Sequence, residues 1–500
     1  MTIFSIDLGN SRMKFAHAER DGHPVILPNR LGEPFTSSVV YFPDNGLPVV
    51  GTEALNMAFA EPKRVVFNWK RHMGSEKCLY KGKDGKEWRA KEIAALLLAE
   101  FKASVEARTG KVATEVIITV PANYTEKQKR ETIEAAESVG LKVLCLPSEP
   151  YAAALGNDVH LRGDGLTLVF DLGGGTFDVS IMHVRGNLIE VLRTNGDPEL
   201  GGQDVNRRIR ENILNMFQKE HGYVPDQVKS PVFYADLDAR VEQLKTSLTT
   251  LEQANLVVRD GEKLLNRKIS RKEVETWIAD LVKRALTLVE MTLSEAQVGW
   301  PEITVVLPVG GGSRMPVIAQ ELERLAGKKL SQKLEPDYAA ALGGIIAGRV
   351  ELQRQGRKAE TETGALPSIG VYAREVTSHS LGVSALNGGQ KPLQHVLLPK
   401  GTPYPSTQVR TFALAQPHQT AANIVVLEGE EGIPHEECVK IGEFHLEGLP
   451  AYADITERIE VTFELDSSGL LTATARDLKS GRTAVMKIDT KSGEKTAKKS

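Results

Sequence analysis

Three short apolar runs in this chain end in glycine, and together they restrict its fold more than any other feature. They are Ile6-Asp7-Leu8-Gly9-Asn10-Ser11, Phe170-Asp171-Leu172-Gly173-Gly174-Gly175-Thr176-Phe177-Asp178 and Val309-Gly310-Gly311-Gly312-Ser313-Arg314. Pro316 follows the third at an expected helix start. Each reads as a strand running into a tight turn. Glycine there allows positive φ and lets backbone N–H groups approach anionic oxygens with no Cβ in the way. The first two turns share Asp-Leu-Gly and lie 164 residues apart. That spacing predicts two related lobes, each offering a phosphate-gripping hairpin.

The aspartates carry as much weight as the glycines. Mg²⁺ is a hard ion that keeps its waters, so carboxylates such as Asp7 and Asp171 would order those waters around a triphosphate. Either Asp-Leu-Gly alone is equally an ordinary turn leading to a helix cap; the two copies with the third turn point to phosphate chemistry. No GxxxxGK[ST] string occurs and no turn fits GxGxxG, which disfavours a P-loop or dinucleotide fold.

Up to about residue 350, strands alternate with amphipathic helices, the pattern of a layered α/β architecture. Val116–Val120, Leu166–Phe170 and Ile303–Leu307 read as buried strands. Between Lys91 and Gly110, Ile93, Leu96, Leu97, Phe101 and Val105 fall on one helix face. Thr125 and Gln128 have capping-box spacing for a helix that closes at Gly140. From Leu352 to Gly364 large apolar side chains are few, as in a helix end entering a connector. After Ser380 the period becomes two: Ile459, Val461, Phe463 and Leu465 alternate with polar residues, Asp466–Gly469 makes a turn, and Leu470–Ala475 returns. Val409–Ala415 and Ile424–Leu427 are further strands, and Asp489–Ser500 reads as a disordered polar tail.

Composition removes other classes. At about 150 residues per domain, 500 residues favour about three units. A net charge of −3 gives no electrostatic case for nucleic acid or an anionic membrane as partner. Cys78, Cys145 and Cys438 form no CxxC pair, which fits a reducing, cytoplasmic location. The first residues, MTIFSIDLGNSRMKF, contain no cleavable apolar core.

Read together, these residues resemble the heat shock protein 70 (DnaK-type) chaperone family within the actin-like ATPase superfamily. Val120-Pro121-Ala122 is similar to that family's first connecting segment, and Ser148-Glu149-Pro150-Tyr151-Ala152-Ala153-Ala154 to its second. DLGGGTFDVS at Asp171–Ser180 is its second phosphate motif unchanged. Asn195-Gly196-Asp197, Leu200-Gly201-Gly202 and Glu335-Pro336-Asp337 before Ala341-Leu342-Gly343 match later blocks. The resemblance implies an α/β fold class: an actin-like (ribonuclease H-like) two-lobed ATPase domain followed by a small antiparallel β-sandwich domain. Its divisions would be 1–352 for the nucleotide-binding domain, 353–377 for an interdomain linker, 378–489 for the peptide-binding β-sandwich and 490–500 for the tail.

The same resemblance implies an ATPase that uses ATP/ADP and Mg²⁺, with K⁺ as a further candidate ion. Asp7 and Asp171 would order the Mg²⁺ hydration shell. Lys70 would sit at the γ-phosphate, Glu149 and Thr176 near the attacking water, and Asp178 would support proton removal. Gly9, Asn10, Ser11, Gly173, Gly174, Gly175, Gly201 and Gly202 would hold phosphates. Glu242, Lys245 and Thr249, at i, i+3, i+7 spacing on one helix face, would meet the adenosine, with Gly310, Gly311, Arg314 and Asp337 completing its pocket. Val383, Leu386, Phe412, Ala415, Ala422 and Ile424 match the peptide pocket and its arch; equally, they are the core of a small sandwich. The implied partners are unfolded or extended polypeptide, a J-domain co-chaperone and a nucleotide exchange factor.

Several departures alter those expectations. Asn10-Ser11 stands where the family has Thr-Thr, and Lys129 (or Arg130) where it has an arginine partner for Pro121. The connector reads Val371-Tyr372-Ala373-Arg374-Glu375-Val376 in place of an acid and a leucine run, so a charge in the docking strip should weaken its burial. The chain also stops where the family begins a helical lid, which implies fast release of bound peptide. Three readings stay open here: an ATP-driven chaperone, a specialised nucleotide-binding relative with weak or absent coupling, and an actin-like filament protein or sugar kinase.

Overall fold

A computed structural model describes residues 3–19, 21–331, 333–358, 360–361, 364–366, 370–386, 391–453 and 455–486. The proposed tail lies outside the described residues. Strand Phe4–Leu8 occupies the middle of one mixed sheet, parallel to Glu115–Thr119 and antiparallel to Arg12–Ala18. Strand Gly165–Leu172 repeats that arrangement in a second sheet, parallel to Ile303–Val309 and antiparallel to Phe177–Arg185. Each Asp-Leu pair therefore ends a central strand, where the chain turns into a hairpin. The local symmetry expected from the repeated tripeptide is present in the pairing itself.

Each sheet buries its apolar faces under helices. Helix Ala90–Thr109 covers the first sheet with Ile93, Leu97, Leu98, Phe101 and Val105; Leu96 is only partly buried. Gly110 stops that helix in the left-handed conformation (φ 65°). Helices Gly202–His221, Pro231–Ser247 and Ala279–Glu295 join the core of the second. Between the sheets, helix Ala339–Arg354 packs on helix Glu149–Gly156 and on the first sheet. Small residues are required there: a Cβ on Gly343 would lie 1.6 Å from the Ala152 carbonyl oxygen, and one on Gly344 2.0 Å from Ser5 Oγ.

After the connector the chain forms two four-stranded antiparallel sheets, ordered Pro392–Leu398, Leu381–Leu386, Ala421–Glu428, Val439–Glu447 and Ser406–Ala413, Glu457–Leu465, Leu471–Asp477, Thr483–Met486. Both feed one apolar cluster that includes Ile459, Val461, Phe463 and Leu465, the period-two set. The expected turn is present, with Gly469 at φ 70° and Asp466 N–H donating to Leu470 O at 3.1 Å.

In the connector, Glu360–Thr361 pairs with Gly364–Ala365. The segment with the charged pair docks through its main chain. Tyr372–Arg374 adds to the second sheet as a fifth strand, parallel to Leu188–Glu190, with Tyr372 N–H donating to Asn187 O at 2.8 Å. Main-chain pairing holds the segment while strand alternation leaves Arg374 exposed, 3.6 Å from Glu190. Val371 and Val376 are buried at either end.

Lys129 likewise contacts the β part: its Nζ donates to Gly469 O at 3.3 Å and pairs with Glu126 at 3.0 Å. Arg130 donates to Ile441 O. The Glu126 carboxylate accepts the Leu471 N–H, and Glu428 accepts the Glu126 N–H at the first turn of helix Glu126–Ser138. The acidic Glu428 thus meets a helix N-terminus, a favourable placement.

Glu375 is the charge that docking encloses. Burial raises its pKa to about 7, although Ser148, whose N–H it accepts at 3.3 Å, and the cations of Lys129 and Arg354 act against the rise. A carboxylate in water titrates near 4.5, so the docked segment binds its proton more tightly than the released one. Docking is therefore fully favoured below the ordinary carboxylate range and weakens as pH rises through about 7, by ~3 kcal/mol at most. Hydrogen exchange of the Tyr372–Arg374 amides, corrected for intrinsic rates, should show protection falling between pH 5 and 8. Glu375→Gln should hold it high and flat; a flat wild-type profile would contradict the assignment.

Candidate functional site

The glycine turns meet because each lacks the atom that would separate them. A Cβ on Gly174 would stand 2.4 Å from Ser11 Oγ, and one on Gly175 2.9 Å from the Asn10 side chain. The third turn closes on the second: Gly310, at φ 76°, would place a Cβ 2.7 Å from Asp171 Oδ1, and Gly311 one 2.9 Å from Asp337 Oδ1. All three sequence turns therefore line one cleft.

Four carboxylates gather there. Asp7, Asp171 and Asp178 are buried, and Glu149 nearly so. Glu149 is placed by Ser148, which caps helix Glu149–Gly156, and by its own N–H donating to Val120 O at 2.7 Å. Burial raises the pKa values of Asp171, Asp178 and Glu149, and their mutual repulsion adds to the rise. Asp178 reaches about 8, with Lys70 opposing, and its Oδ1 has no hydrogen-bond partner. Thr176 sits in the same turn, its carbonyl accepting the Gly173 N–H at 3.0 Å.

Two ammonium groups answer these acids. Lys70 Nζ lies 2.8 Å from Glu149 Oε1. Burial disfavours its charge, but Glu149 and further negative neighbours hold its pKa above the ordinary lysine value. The turn Trp69–His72 fixes it: Trp69 is fully buried, and Asn68, left-handed at φ 55°, accepts from Asn10 Nδ2 at 3.1 Å. Asn10, the departure from Thr, thus ties the first phosphate turn to the Lys70 turn. The second ammonium, Lys14, lies 2.8 Å from Asp7 Oδ2.

Other predicted residues act on the frame of the cleft. Gly202 and Gln203 donate their N–H groups to Gly173 O and Gly174 O, both at 2.9 Å, while Gly201 N–H donates to Asp204 Oδ2. The amides of Gly202 and Gln203 hold the second turn, and that of Gly201 is taken up by Asp204. Lys245 pairs with Glu242 at 2.7 Å, and Glu242 also accepts from Asn206. Thr249 departs from the expected helix face, because the helix ends at Ser247 and Thr249 lies in the following turn, bonded to Thr246 O. Arg314 is exposed and pairs with Asp337 at 3.0 Å and with Glu335.

Lys14, Arg71, Gln203 and Asp204 were not singled out by the sequence. Arg71 donates to Gly175 O at 2.8 Å and pairs with buried Asp204, so it braces the second turn from the first sheet's side. Its signal was its place beside Lys70 in a basic run.

In the β part, Val383, Ala422 and Ile424 are buried in the shared cluster, Phe412 is half-buried against it, and Leu386 and Ala415 are exposed. The first three serve as core, and the last two lie at the surface.

The donor set fits a hydrated divalent cation. Four crowded carboxylates, one with an unpartnered oxygen, leave negative charge uncompensated. Among the described residues no group of three or more His, Cys, Asp or Glu could hold a metal ion, and a hard ion such as Mg²⁺ usually keeps several of its waters. Glycine turns beside acids and a fixed ammonium are chemically suited to a phosphate ligand.

A family model described as Hsp70 protein matches residues 3–500. The chain belongs to the Hsp70 family, whose members are ATPases with an ATP-binding, chaperone-type function. Among the described residues no helix is long and apolar enough to cross a membrane.

Gly201 tests the turn packing. An alanine Cβ there would lie 2.7 Å from the Gly175 backbone, which has no flexible end to yield, whereas at Gly174 it meets the movable Ser11 hydroxyl. Gly201→Ala should cost about 1–3 kcal/mol and weaken nucleotide binding more than Gly174→Ala, as read by thermal melts with and without ADP. Equal effects would contradict the packing argument.

Proposed function

We propose that the protein is an ATP-dependent chaperone in which ATP binding and hydrolysis regulate the hold on unfolded polypeptide. The observation that carries this reading is the convergence of two Asp-Leu-Gly turns on the Lys70–Glu149 pair. Residues 1–352 would be the two-lobed, actin-like ATPase domain, 353–377 the linker and 378–489 the peptide-binding β-sandwich. The paired strand arrangements and the shared apolar cluster support those divisions.

In the proposed reaction water attacks the γ-phosphate in line. Bound Mg²⁺ would offset the triphosphate charge, with Asp7 and Asp171 ordering its waters. Lys70 balances charge on the transferred group, held by Glu149 so that it does not reorganise during the step. Glu149 and Thr176 orient the attacking water. Asp178, with an unpartnered oxygen, would support proton removal; burial and Glu149 raise its pKa to about 8, so near neutral pH only its ionised fraction can accept a proton. Asn10, Ser11, Gly9 and Gly173–Gly175 embrace the phosphates, and Glu242, Lys245, Thr249, Gly310, Gly311, Arg314 and Asp337 the adenosine.

The β part would take an extended apolar segment, a chemistry that reads hydrophobicity and hence unfolded chains. Leu386 and Ala415 are accessible for that contact, and Phe412 is half-buried against the apolar cluster. Coupling would run through the docked connector and helix Glu126–Ser138, which the β part contacts at both Glu428 and Leu471. A J-domain co-chaperone and an exchange factor would be the partners the resemblance implies, and a cytoplasmic location would suit three free cysteines.

The test is ATP turnover with and without an unfolded peptide. Stimulation by peptide is expected, and Lys70→Ala should lower turnover by about 100-fold or more while ADP still binds. Turnover unmoved by peptide would favour the weakly coupled relative, and turnover unmoved by Lys70→Ala would defeat the catalytic assignment.

A further inference from the structure

Lys14 has no place in the reaction just described, yet it stands in the same cleft. It is directly opposite Asp7 in the first hairpin, so strand register alone puts both side chains on one face. Its Nζ is 2.8 Å from Asp7 Oδ2, with 12% of the lysine side chain and 10% of the aspartate's exposed. Asp337 and Glu149 also lie within electrostatic reach. The lysine therefore faces the cleft from the Asp7 side, while Lys70 faces it from the Glu149 side.

A lysine ammonium carries three N–H donors. One goes to Asp7, and among the described residues Lys14 makes no other hydrogen bond. Two donors remain on a nearly buried, fixed cation beside Gly9, whose turn meets Gly174 and Gly175 through Ser11 and Asn10. A purely structural ion pair would need no such site, and the acid it engages is the one otherwise assigned to ordering a hydrated metal ion.

We propose that Lys14 is a built-in phosphate-binding cation that lets the cleft retain a nucleoside diphosphate with reduced dependence on a free metal ion. This rests on the nucleotide reading above and adds to it a residue and a property. A charge fixed by the fold needs no ion to be recruited, and in a shielded cleft it attracts phosphate more strongly than in water. It also offsets Asp7, which without a cation would repel the incoming diphosphate. Lys14 is a binding residue here; Lys70 keeps its role at the transferred group.

The experiment is calorimetric or fluorescent-ADP binding by the full chain, in Mg²⁺ and in EDTA, for the wild type, Lys14→Met and Lys14→Arg. The quantity read is the ratio of Kd in EDTA to Kd in Mg²⁺. That ratio should stay within about tenfold for the wild type, rise at least a further tenfold in Lys14→Met and return toward wild type in Lys14→Arg. Ratios equal within about threefold in the wild type and Lys14→Met would overturn the proposal. If Lys14→Met does not fold, Lys14→Gln takes its place, and the wild type alone decides against it by losing all ADP binding in EDTA. Wild-type protein that binds no ADP even in Mg²⁺ would overturn the nucleotide reading itself, a result separable from the others.

Discussion

Four carboxylates held out of water with two lysines to balance them is an arrangement a fold tolerates only where it serves something else. Asp7, Glu149, Asp171 and Asp178 repel one another, and burial raises the proton affinity of the last three. Neither packing nor backbone geometry forces acids into these positions. The remaining features of the cleft either bring the acids together or limit the cost of doing so. Lys70 and Lys14 each neutralise one acid at 2.8 Å, Arg71 and Asp204 brace the glycine turn, and glycine removes the Cβ atoms that would hold the turns apart. Uncompensated negative charge then remains, of the sign that a hydrated cation would offset.

The same economy of side chains operates at a distance. Gly343 and Gly344 let one helix touch a neighbouring helix and the first sheet at backbone range. Interfaces built on backbone contact do not deform gradually, so a small shift at the phosphate turns would be transmitted as a rearrangement of helices. The β part sits where such a rearrangement would be felt. Its Gly469–Leu471 turn meets helix Glu126–Ser138, and Lys400 reaches Asn195 and Glu295 beside the second sheet.

Much of this was legible because the chemistry is local in sequence. An aspartate, an apolar residue and glycines in a row specify strand, acid and turn at once, so Asp7, Asp171 and Gly173–Gly175 could be named from their neighbours. Ile459 to Leu465 gave one buried face by alternation alone. Lys14 could not be read that way, since its meaning is a cross-strand register: seven residues separate it from Asp7 along the chain, but the hairpin makes them a pair. Arg71 stands beside Lys70 among other cations, and nothing in its neighbours along the chain points to the glycine turn it braces. The placing of Thr249 on the helix face failed because a helical spacing was extended past Ser247, where Leu248-Thr249-Thr250-Leu251 no longer favours helix. Arg374 misled for a related reason: strand alternation determines whether a charge is buried, and it turns this one outward.

The central claim is that the acid-lined meeting of two glycine turns takes the phosphate chain of a nucleotide. Calorimetric titration of nucleotide-free protein with ADP in excess Mg²⁺ addresses it most directly. One saturable site per chain is expected, accompanied by a rise in melting temperature. No saturable heat and an unmoved melting curve, from protein whose circular dichroism confirms that it is folded, would contradict it.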